Sequence, residues 1–240
     1  MKKPEKTALI TGACGTGIGR STALTLAREG YSVAINYRSH EEAARQVAEA
    51  AAAMGADAAV IQGDVFIKED CARLVNKTLE IFGRLDVCII GPGAGWNCEP
   101  VWALDSEASA QDVQQEVLPV YHLLPLVAPE MEKRRWGRFL AFSSNMDCPS
   151  PSYSYNTAKS ARTAAVLGAA ASLWEKGITA NVISPGPVEP FSSLQEAVDA
   201  CRKKSGGRTG ISPQEIAEAA AFLCSEQAGY LTGTELKFRF

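Results

Sequence analysis

The stretch ITGACGTGIGR, residues 10–20, places four glycines within eight positions, directly after the apolar residues 8–10. Glycine has no Cβ, so a backbone rich in glycine can adopt positive φ and bring its N–H groups close to a ligand. A helical pattern follows, and the N-terminus of a helix is where phosphate groups bind. The spacing is not the G-x-G-x-x-G that is most often quoted for dinucleotide sites. The stretch still predicts a phosphate-binding turn between a strand and a helix.

Apolar segments alternate with helical patterns along the rest of the chain. Strands are predicted at 7–11, 31–37, 57–62, 85–90, 138–143 and 179–184. Helical patterns lie near 18–29, 41–54, 68–82, 111–135 and 153–175. Strands this apolar are typical of a parallel sheet with helices on both faces. We therefore expect a single doubly wound α/β domain of Rossmann type over residues 1–240, with strand order 3-2-1-4-5-6.

Residues 187–212 interrupt this alternation. Pro187 and Pro190 stand at the start of the segment, and Gly206-Gly207 stands near its end. The position predicts a lid over the carboxyl ends of the strands. A helix packed on the surface, with no motion, is an equally supported interpretation.

Composition narrows the class of protein. The chain has 240 residues, 46% of them hydrophobic, and a net charge of −3. These values favour a globular protein that binds neither nucleic acid nor a membrane, and the absence of a long apolar run predicts a cytoplasmic location. The seven cysteines form no C-x-x-C pair, so we expect reduced thiols and no metal site.

Six short motifs follow one another along the chain. They are Thr11-Gly12 with Gly17-Ile18-Gly19, GDV at 63–65, GRLDV at 83–87, SS at 143–144, YNTAK at 155–159 and PGPVE at 185–189. Over nearly its whole length the chain resembles the short-chain dehydrogenases/reductases, and among them the 3-oxoacyl-[acyl-carrier-protein] reductases. Its glycine loop is one residue longer than is usual there. The resemblance implies hydride transfer between a nicotinamide cofactor and a ketone or secondary alcohol, with 3-oxoacyl thioesters among the candidate substrates.

The end of the second strand bears on the choice of cofactor. An acidic residue there would bind the ribose 2′-hydroxyl of NAD(H), but this strand ends with AINYRSH. Arg38 can hold a 2′-phosphate, which favours NADP(H), although a solvated surface arginine is the alternative. The resemblance implies further cofactor contacts from Gly12, Thr16, Gly17, Ile18, Ser39, Asp64, Val65, Gly91, Tyr155, Lys159, Pro185, Gly186 and Val188.

Three residues are the candidate catalytic groups. Tyr155 and Lys159 are four residues apart, which places them on one face of a helix, and Ser144 follows the fifth strand. An alkoxide formed from a ketone needs a proton and hydrogen-bond donors. By resemblance, Tyr155 is the acid/base and Ser144 the donor to the substrate oxygen, while Lys159 holds the cofactor ribose. We expect Lys159 and the cationic nicotinamide of the oxidised cofactor to lower the pKa of Tyr155 together. A structural tyrosine beside an exposed lysine is the alternative.

Several positions depart from the family pattern. Glu116 and Pro190 stand where the family has Asn and Thr, and residues 90–93 replace its N-N-A-G. In the family that this chain resembles, the Asn at this position frees a main-chain carbonyl of the helix, and that carbonyl binds a water next to the lysine. We expect Pro119 to bend the helix and free the carbonyl of Gln115 instead, so that Glu116→Ala slows turnover much less than Pro119→Ala does. The alternative for Pro119 is that it only shapes packing. The alternative for the whole protein is that it binds a cofactor for assembly or sensing, with little catalysis.

Two kinds of partner are expected besides a small carbonyl or alcohol. The apolar helices near 111–135 and 153–175 match those that pair in this family, which predicts a homotetramer. Arg135 and Lys176 lie where related reductases meet an acidic acyl carrier, although cations near a helix C-terminus also favour the helix dipole.

Overall fold

Seven parallel strands form one sheet in the computed structural model, which describes residues 6–93, 100–147, 149–207 and 210–239. Their order in the sheet is β3-β2-β1-β4-β5-β6-β7. The strands are β1 Thr7–Ile10, β2 Ser32–Tyr37, β3 Ala58–Gln62, β4 Val87–Ile90, β5 Gly137–Phe142, β6 Ile178–Ser184 and β7 Glu235–Lys237. The predicted class and the predicted order of the first six strands are confirmed.

Helices cover both faces of this sheet. They are α1 Ile18–Arg28, α2 Glu41–Ala52, α3 Lys68–Phe82, α4 Ser106–Glu132, α5 Tyr153–Trp174, α6 Leu194–Lys203 and α7 Pro213–Leu223. The helices α1, α2, α6 and α7 pack on one face, whereas α3, α4 and α5 pack on the other. None of the helices in the described part of the chain combines the length and the apolar character that a membrane crossing requires.

Each central strand contributes to two cores. In β1, Leu9 packs under α3–α5, while its neighbours Ala8 and Ile10 pack under the helices of the other face. Successive strand residues point to opposite faces, so a strand that is covered on both sides needs an unbroken apolar run. All four residues of β1 are buried for this reason.

The helix α7 Pro213–Leu223 was not predicted, and two further elements differ from the sequence prediction. The strand β7 was not predicted, and it pairs in parallel with β6 at the edge of the sheet. The helix α4 begins at Ser106, five residues before its predicted start near 111. Asp105 explains the early start, because its side chain accepts hydrogen bonds from the N–H groups of Glu107 and Ala108 and so caps the helix.

The phosphate-binding turn that the sequence predicts lies at the carboxyl end of β1, which separates the two halves of the sheet. The first turn follows β1 there, and Gly12 has a φ of +64° within it. A Cβ on Gly12 would lie 2.6 Å from Cγ of Pro92, and one on Gly19 would lie 2.8 Å from the carbonyl oxygen of Gly12. The glycines therefore permit a tight turn that packs against the loop after β4 on one side and against the start of α1 on the other.

The candidate lid at 187–212 contains α6, and its residues 208–209 lie outside the described part. Phe191 is 1% exposed, and Nη2 of Arg20 on α1 donates a hydrogen bond to the carbonyl of Ser193 at 3.1 Å. These contacts agree with a packed surface helix. Movement of the segment as a lid stays a prediction.

Candidate active site

Asn36 organises the loops around the glycine turn. Its Oδ1 accepts a hydrogen bond from the N–H of Gly12 at 3.2 Å, and its Nδ2 donates to the carbonyls of Gly63 at 2.9 Å and Ile61 at 3.3 Å. One buried amide therefore joins the turn after β1 to the end of β3. The sequence analysis missed this residue, although a polar side chain within the apolar strand SVAINY was a visible signal.

A cleft of about 310 Å³ opens beside Asn36. It brings together five of the residues that were predicted to bind the cofactor, namely Gly12, Arg38, Ser39, Asp64 and Val65. Cys14, Asn36, His40, Gly63, Phe66, Pro92 and Gly93 complete its lining. The other predicted cofactor residues lie outside this cleft.

Arg38 stands at the mouth of the cleft. Its side chain is 67% exposed, and its Nη1 lies 3.7 Å from Oδ2 of Asp64. Next to it, Ser39 Oγ and His40 Nδ1 are 3.1 Å apart. A long and weak surface ion pair holds the guanidinium only loosely, so Arg38 can turn to another anion.

The loops after β4, β5 and β6 meet close to the start of α1. The N–H of Gly91 donates to Oγ1 of Thr11 at 3.0 Å, and the N–H of Asn145 donates to the carbonyl of Pro185 at 3.1 Å. The second bond holds the loop after β5, which carries Ser144, beside the loop after β6. Gly186 and Val188 follow Pro185 in the second of these loops.

The helix α5 carries the other two candidate catalytic residues. Ser152 caps its N-terminus by accepting a hydrogen bond from the N–H of Tyr155 at 3.3 Å. One turn later, Nζ of Lys159 lies 5.3 Å from the centre of the Tyr155 ring. Ser143 Oγ donates to the carbonyl of Lys159 at 2.9 Å, which ties α5 to the segment that carries Ser144.

A buried carboxylate contacts Lys159 directly. Glu116 is fully buried; its Oε1 lies 2.9 Å from Nζ of Lys159, and its Oε2 lies 2.7 Å from Nε of Arg162. The buried Arg162 also donates hydrogen bonds to main-chain carbonyls of α4, of β5 and of the loop after β4, namely those of Glu116, Phe142, Gly91 and Pro92. Glu116, Lys159 and Arg162, which we call the charge cluster, therefore connect both helices to the loops of the site.

Burial controls the titration of this region. It lowers the pKa of Lys159 to about 8; Arg162 adds to this shift and Glu116 opposes it. Burial also raises the pKa of Tyr155, with Glu116 acting in the same direction. The sequence analysis expected Lys159 to lower the pKa of Tyr155. In the chain alone the pKa of Tyr155 is raised instead, because burial and Glu116 outweigh the charge of Arg162; the lowering expected with the oxidised cofactor bound stays a prediction.

The structure also changes the interpretation of Glu116. Pro119 lies inside a helix that runs from Ser106 to Glu132, and the Glu116 carboxylate itself reaches Lys159. Removing this carboxylate would leave two buried cations without a partner, which argues against the expectation that Glu116→Ala slows turnover much less than Pro119→Ala; that comparison stays a prediction. The bend at Pro119 stays a prediction.

The sequence analysis also missed Arg162. In KSARTAAVLGAAA it is the only charged residue after Lys159 on an otherwise small and apolar stretch of helix. An arginine three residues after a candidate catalytic lysine, on the same helix face, was the available signal.

Comparison with known proteins agrees with this geometry. A family model described as enoyl-(acyl carrier protein) reductase matches residues 12–238. The oxidoreductase YmfI from Bacillus subtilis is 33% identical over 95% of each chain. The 3-oxoacyl-[acyl-carrier-protein] reductase FabG from Staphylococcus aureus is 32% identical over 96% of this chain and 95% of its own.

A solved structure has the same fold. NAD⁺-bound xylitol dehydrogenase superposes with a TM-score of 0.84 at 26% identity, covering 99% of both chains. The family model and these relatives match almost the entire sequence, and the sheet order and the glycine turn are consistent with that match. The chain belongs to the short-chain dehydrogenase/reductase family of oxidoreductases, which use a nicotinamide cofactor.

Proposed function

We propose that the protein is an NADP(H)-dependent oxidoreductase that interconverts ketones and secondary alcohols. The observation that carries the proposal is the pairing of Tyr155 with a buried Lys159 on α5, at the carboxyl edge of the sheet. The pKa of Tyr155 is raised, so its phenol keeps its proton at neutral pH. A protonated phenol is the form that can act as an acid toward an alkoxide.

The cofactor would be held by the cleft and the glycine turn. Gly12 and Gly19 leave room where a Cβ would collide with neighbouring atoms, so the turn can follow a pyrophosphate closely. Arg38 and Ser39 line the cleft and would hold the 2′-phosphate of NADP(H). When bound, the nicotinamide supplies or accepts the hydride.

The chain's own residues would then manage the substrate oxygen. Ser144 would donate a hydrogen bond to the carbonyl oxygen, and Tyr155 would transfer its phenolic proton to the same oxygen as negative charge develops. Lys159 would supply positive charge beside the resulting phenolate. Glu116 and Arg162 would fix the position of that ammonium.

The likeness to FabG favours 3-oxoacyl thioesters as the substrate class. Lys176, one of the two basic residues predicted to meet an acyl carrier, is paired with Glu132 at 2.6 Å. Arg135 donates to the carbonyl of Glu175 and has a positive φ of 49°. Because the charge of Lys176 is already paired with Glu132, the argument that the protein binds an acyl carrier rests mainly on Arg135.

A second candidate function is a cofactor-binding protein with little catalysis. The contact between Glu116 and Lys159 favours it, because a carboxylate already holds the ammonium that the proposal assigns to the reaction. Measured turnover of a ketone substrate with NADPH distinguishes an oxidoreductase from a protein that only binds the cofactor. We expect catalysis, in a cytoplasmic enzyme.

We also propose assembly into a homotetramer. Trp174 at the end of α5 and Tyr230 are 41% and 90% exposed, and their ring centres lie 5.9 Å apart. An exposed aromatic pair of this kind suits a subunit contact. Light scattering at micromolar concentration is expected to give the mass of four chains, and the mass of one chain would contradict the proposal.

Turnover tests the proposed function. With a panel of 3-oxoacyl thioesters, diketones and cyclic ketones, we expect NADPH oxidation, followed by its absorbance, for at least one member. Tyr155→Phe removes the proton donor and is expected to lower kcat by about a hundredfold or more, with NADPH affinity close to wild type. Turnover of Tyr155→Phe at the wild-type rate would show that another group supplies the proton.

Cofactor choice is a separate prediction. Arg38→Ala removes a charged hydrogen bond to the 2′-phosphate, so we expect it to weaken NADPH binding by about 1.5–3 kcal/mol and to leave NADH binding unchanged. Fluorescence titration measures both affinities. Arg45→Ala, which removes an exposed arginine from nearby α2, is the matched control. Equal losses for NADPH and NADH in Arg38→Ala would refute the assignment.

A further inference from the structure

Two buried residues flank Ser144 in the segment that follows β5. On one side, Ser143 Oγ donates a hydrogen bond to the carbonyl of Lys159 at 2.9 Å and accepts one from Oγ1 of Thr163 at 2.8 Å. On the other side, Asn145 is fully buried. Ser143 therefore fixes the segment to α5, and the partners of Asn145 decide how the segment is held on its other side.

Asn145 joins its own loop to two others. Its N–H donates to the carbonyl of Pro185, in the loop after β6, at 3.1 Å. Its Nδ2 donates to the carbonyl of Phe238 at 2.8 Å, and its Oδ1 accepts from the N–H of Asp147 at 2.9 Å. One residue thereby connects the loop that carries Ser144 with the loop after β6 and with residues 237–239, which we call the tail.

Asp147 contacts the tail a second time. Its Oδ1 lies 2.9 Å from Nζ of Lys237, and its Oδ2 lies 3.0 Å from Nη2 of Arg239. These two cations stand on either side of Phe238, so the tail is held on both sides of its bond to Asn145. Ion pairs at a partly exposed surface contribute little to stability, and we therefore assign the main link to the buried amide of Asn145.

We propose that Asn145 is a positioning residue that uses the tail to hold Ser144 in place for the reaction. The proposal rests on the proposed function, in which Ser144 donates a hydrogen bond to the substrate oxygen. The backbone bond to Pro185 gives the loop one fixed point, and the bond from Nδ2 of Asn145 to Phe238 adds a second. Ser143 supplies a third on α5. Three fixed points define an orientation, and a displacement of about 1 Å in an active site can slow a reaction by about a hundredfold.

A purely structural role for Asn145 leads to a different expectation. Buried amides commonly satisfy main-chain groups, and such bonds stabilise a fold wherever they lie. Asn145 is distinguished by its place in the chain, directly after Ser144 and in contact with both the loop after β6 and the tail. Energetic coupling between Asn145 and Ser144 is therefore the property that separates positioning from stability alone.

Asn145→Ser tests the link to the tail. A serine hydroxyl can still accept a hydrogen bond from the N–H two residues later, but it is too short to replace the bond to the carbonyl of Phe238. We expect kcat to fall by about tenfold or more, with KM for NADPH close to wild type, because the backbone bond to Pro185 is retained. Removal of residues 238–240 breaks the same bond from the other side and should lower kcat to a similar extent.

A double-mutant cycle with Ser144 identifies the positioning role. If Asn145 acts by holding Ser144, the loss of kcat caused by Ser144→Ala should be about tenfold smaller in Asn145→Ser than in the wild type. Equal losses in both backgrounds would overturn the proposal, and so would wild-type kcat in Asn145→Ser or in the shortened chain. Asn76→Ser, which changes an exposed asparagine on α3, is the matched control and should leave every readout unchanged.

Hydrogen exchange tests the link without turnover. In the chain shortened to residue 237, we expect the N–H groups of Asn145 and Asp147 to exchange at least about tenfold faster, while those of β4 keep their wild-type rates. Unchanged exchange at both N–H groups would overturn the proposal even in an active enzyme. Faster exchange in a protein that turns over none of the ketones would refute the proposed function and leave Asn145 with a structural role only.

Discussion

The buried contact between Glu116 and two cations is the constraint on which the candidate site depends. Lys159 and Arg162 both lie on α5, and one carboxylate from α4 compensates their charges. Removing one member of a buried ion pair is costly, because the remaining charge stays in the interior without its partner. Arg162 also satisfies carbonyls at the ends of β4 and β5. The position of Lys159 and the shape of the loops around it are therefore fixed by the same cluster.

This arrangement links the fold to the chemistry. The parallel sheet brings the loops after β1, β4 and β5 to one edge, and Gly12 allows the loop after β4 to approach the glycine turn closely. Burial of α5 against that edge lowers the pKa of Lys159 and raises that of Tyr155. Both shifts favour the protonated phenol that the reduction of a ketone requires.

Local patterns were enough to predict most of this fold. Six strands and their order follow from apolar runs that alternate with helical patterns, because each such run must be covered on both faces. The strand β7 has only three residues, Glu235–Lys237, and two of the three are charged. The strand forms because the edge of β6 is available for pairing, and a local sequence pattern carries no information about such a distant partner. The capping box at Ser212 and Glu215, which starts α7, was visible in the sequence as SPQE but was not used.

The candidate site was less predictable, because its properties depend on burial and on contacts between distant residues. The spacing of Tyr155 and Lys159 gave their shared helix face directly. The partnership of Glu116 with Lys159 and Arg162 joins residues more than forty positions apart, and no local pattern connects them. The raised pKa of Tyr155 in the chain alone was not predicted for the same reason, since it is set by desolvation and by Glu116.

A double-mutant cycle on Glu116 and Arg162 tests this account most directly. The free energies of unfolding of wild type, Glu116→Gln, Arg162→Met and the double variant would be measured by urea denaturation. We expect each single change to cost about 3–5 kcal/mol, and the double variant to cost less than their sum by about 2 kcal/mol, because the second change removes a charge that the first left unpaired. Costs that add to within about 0.5 kcal/mol would show that the two residues act independently and would contradict the central role of the charge cluster.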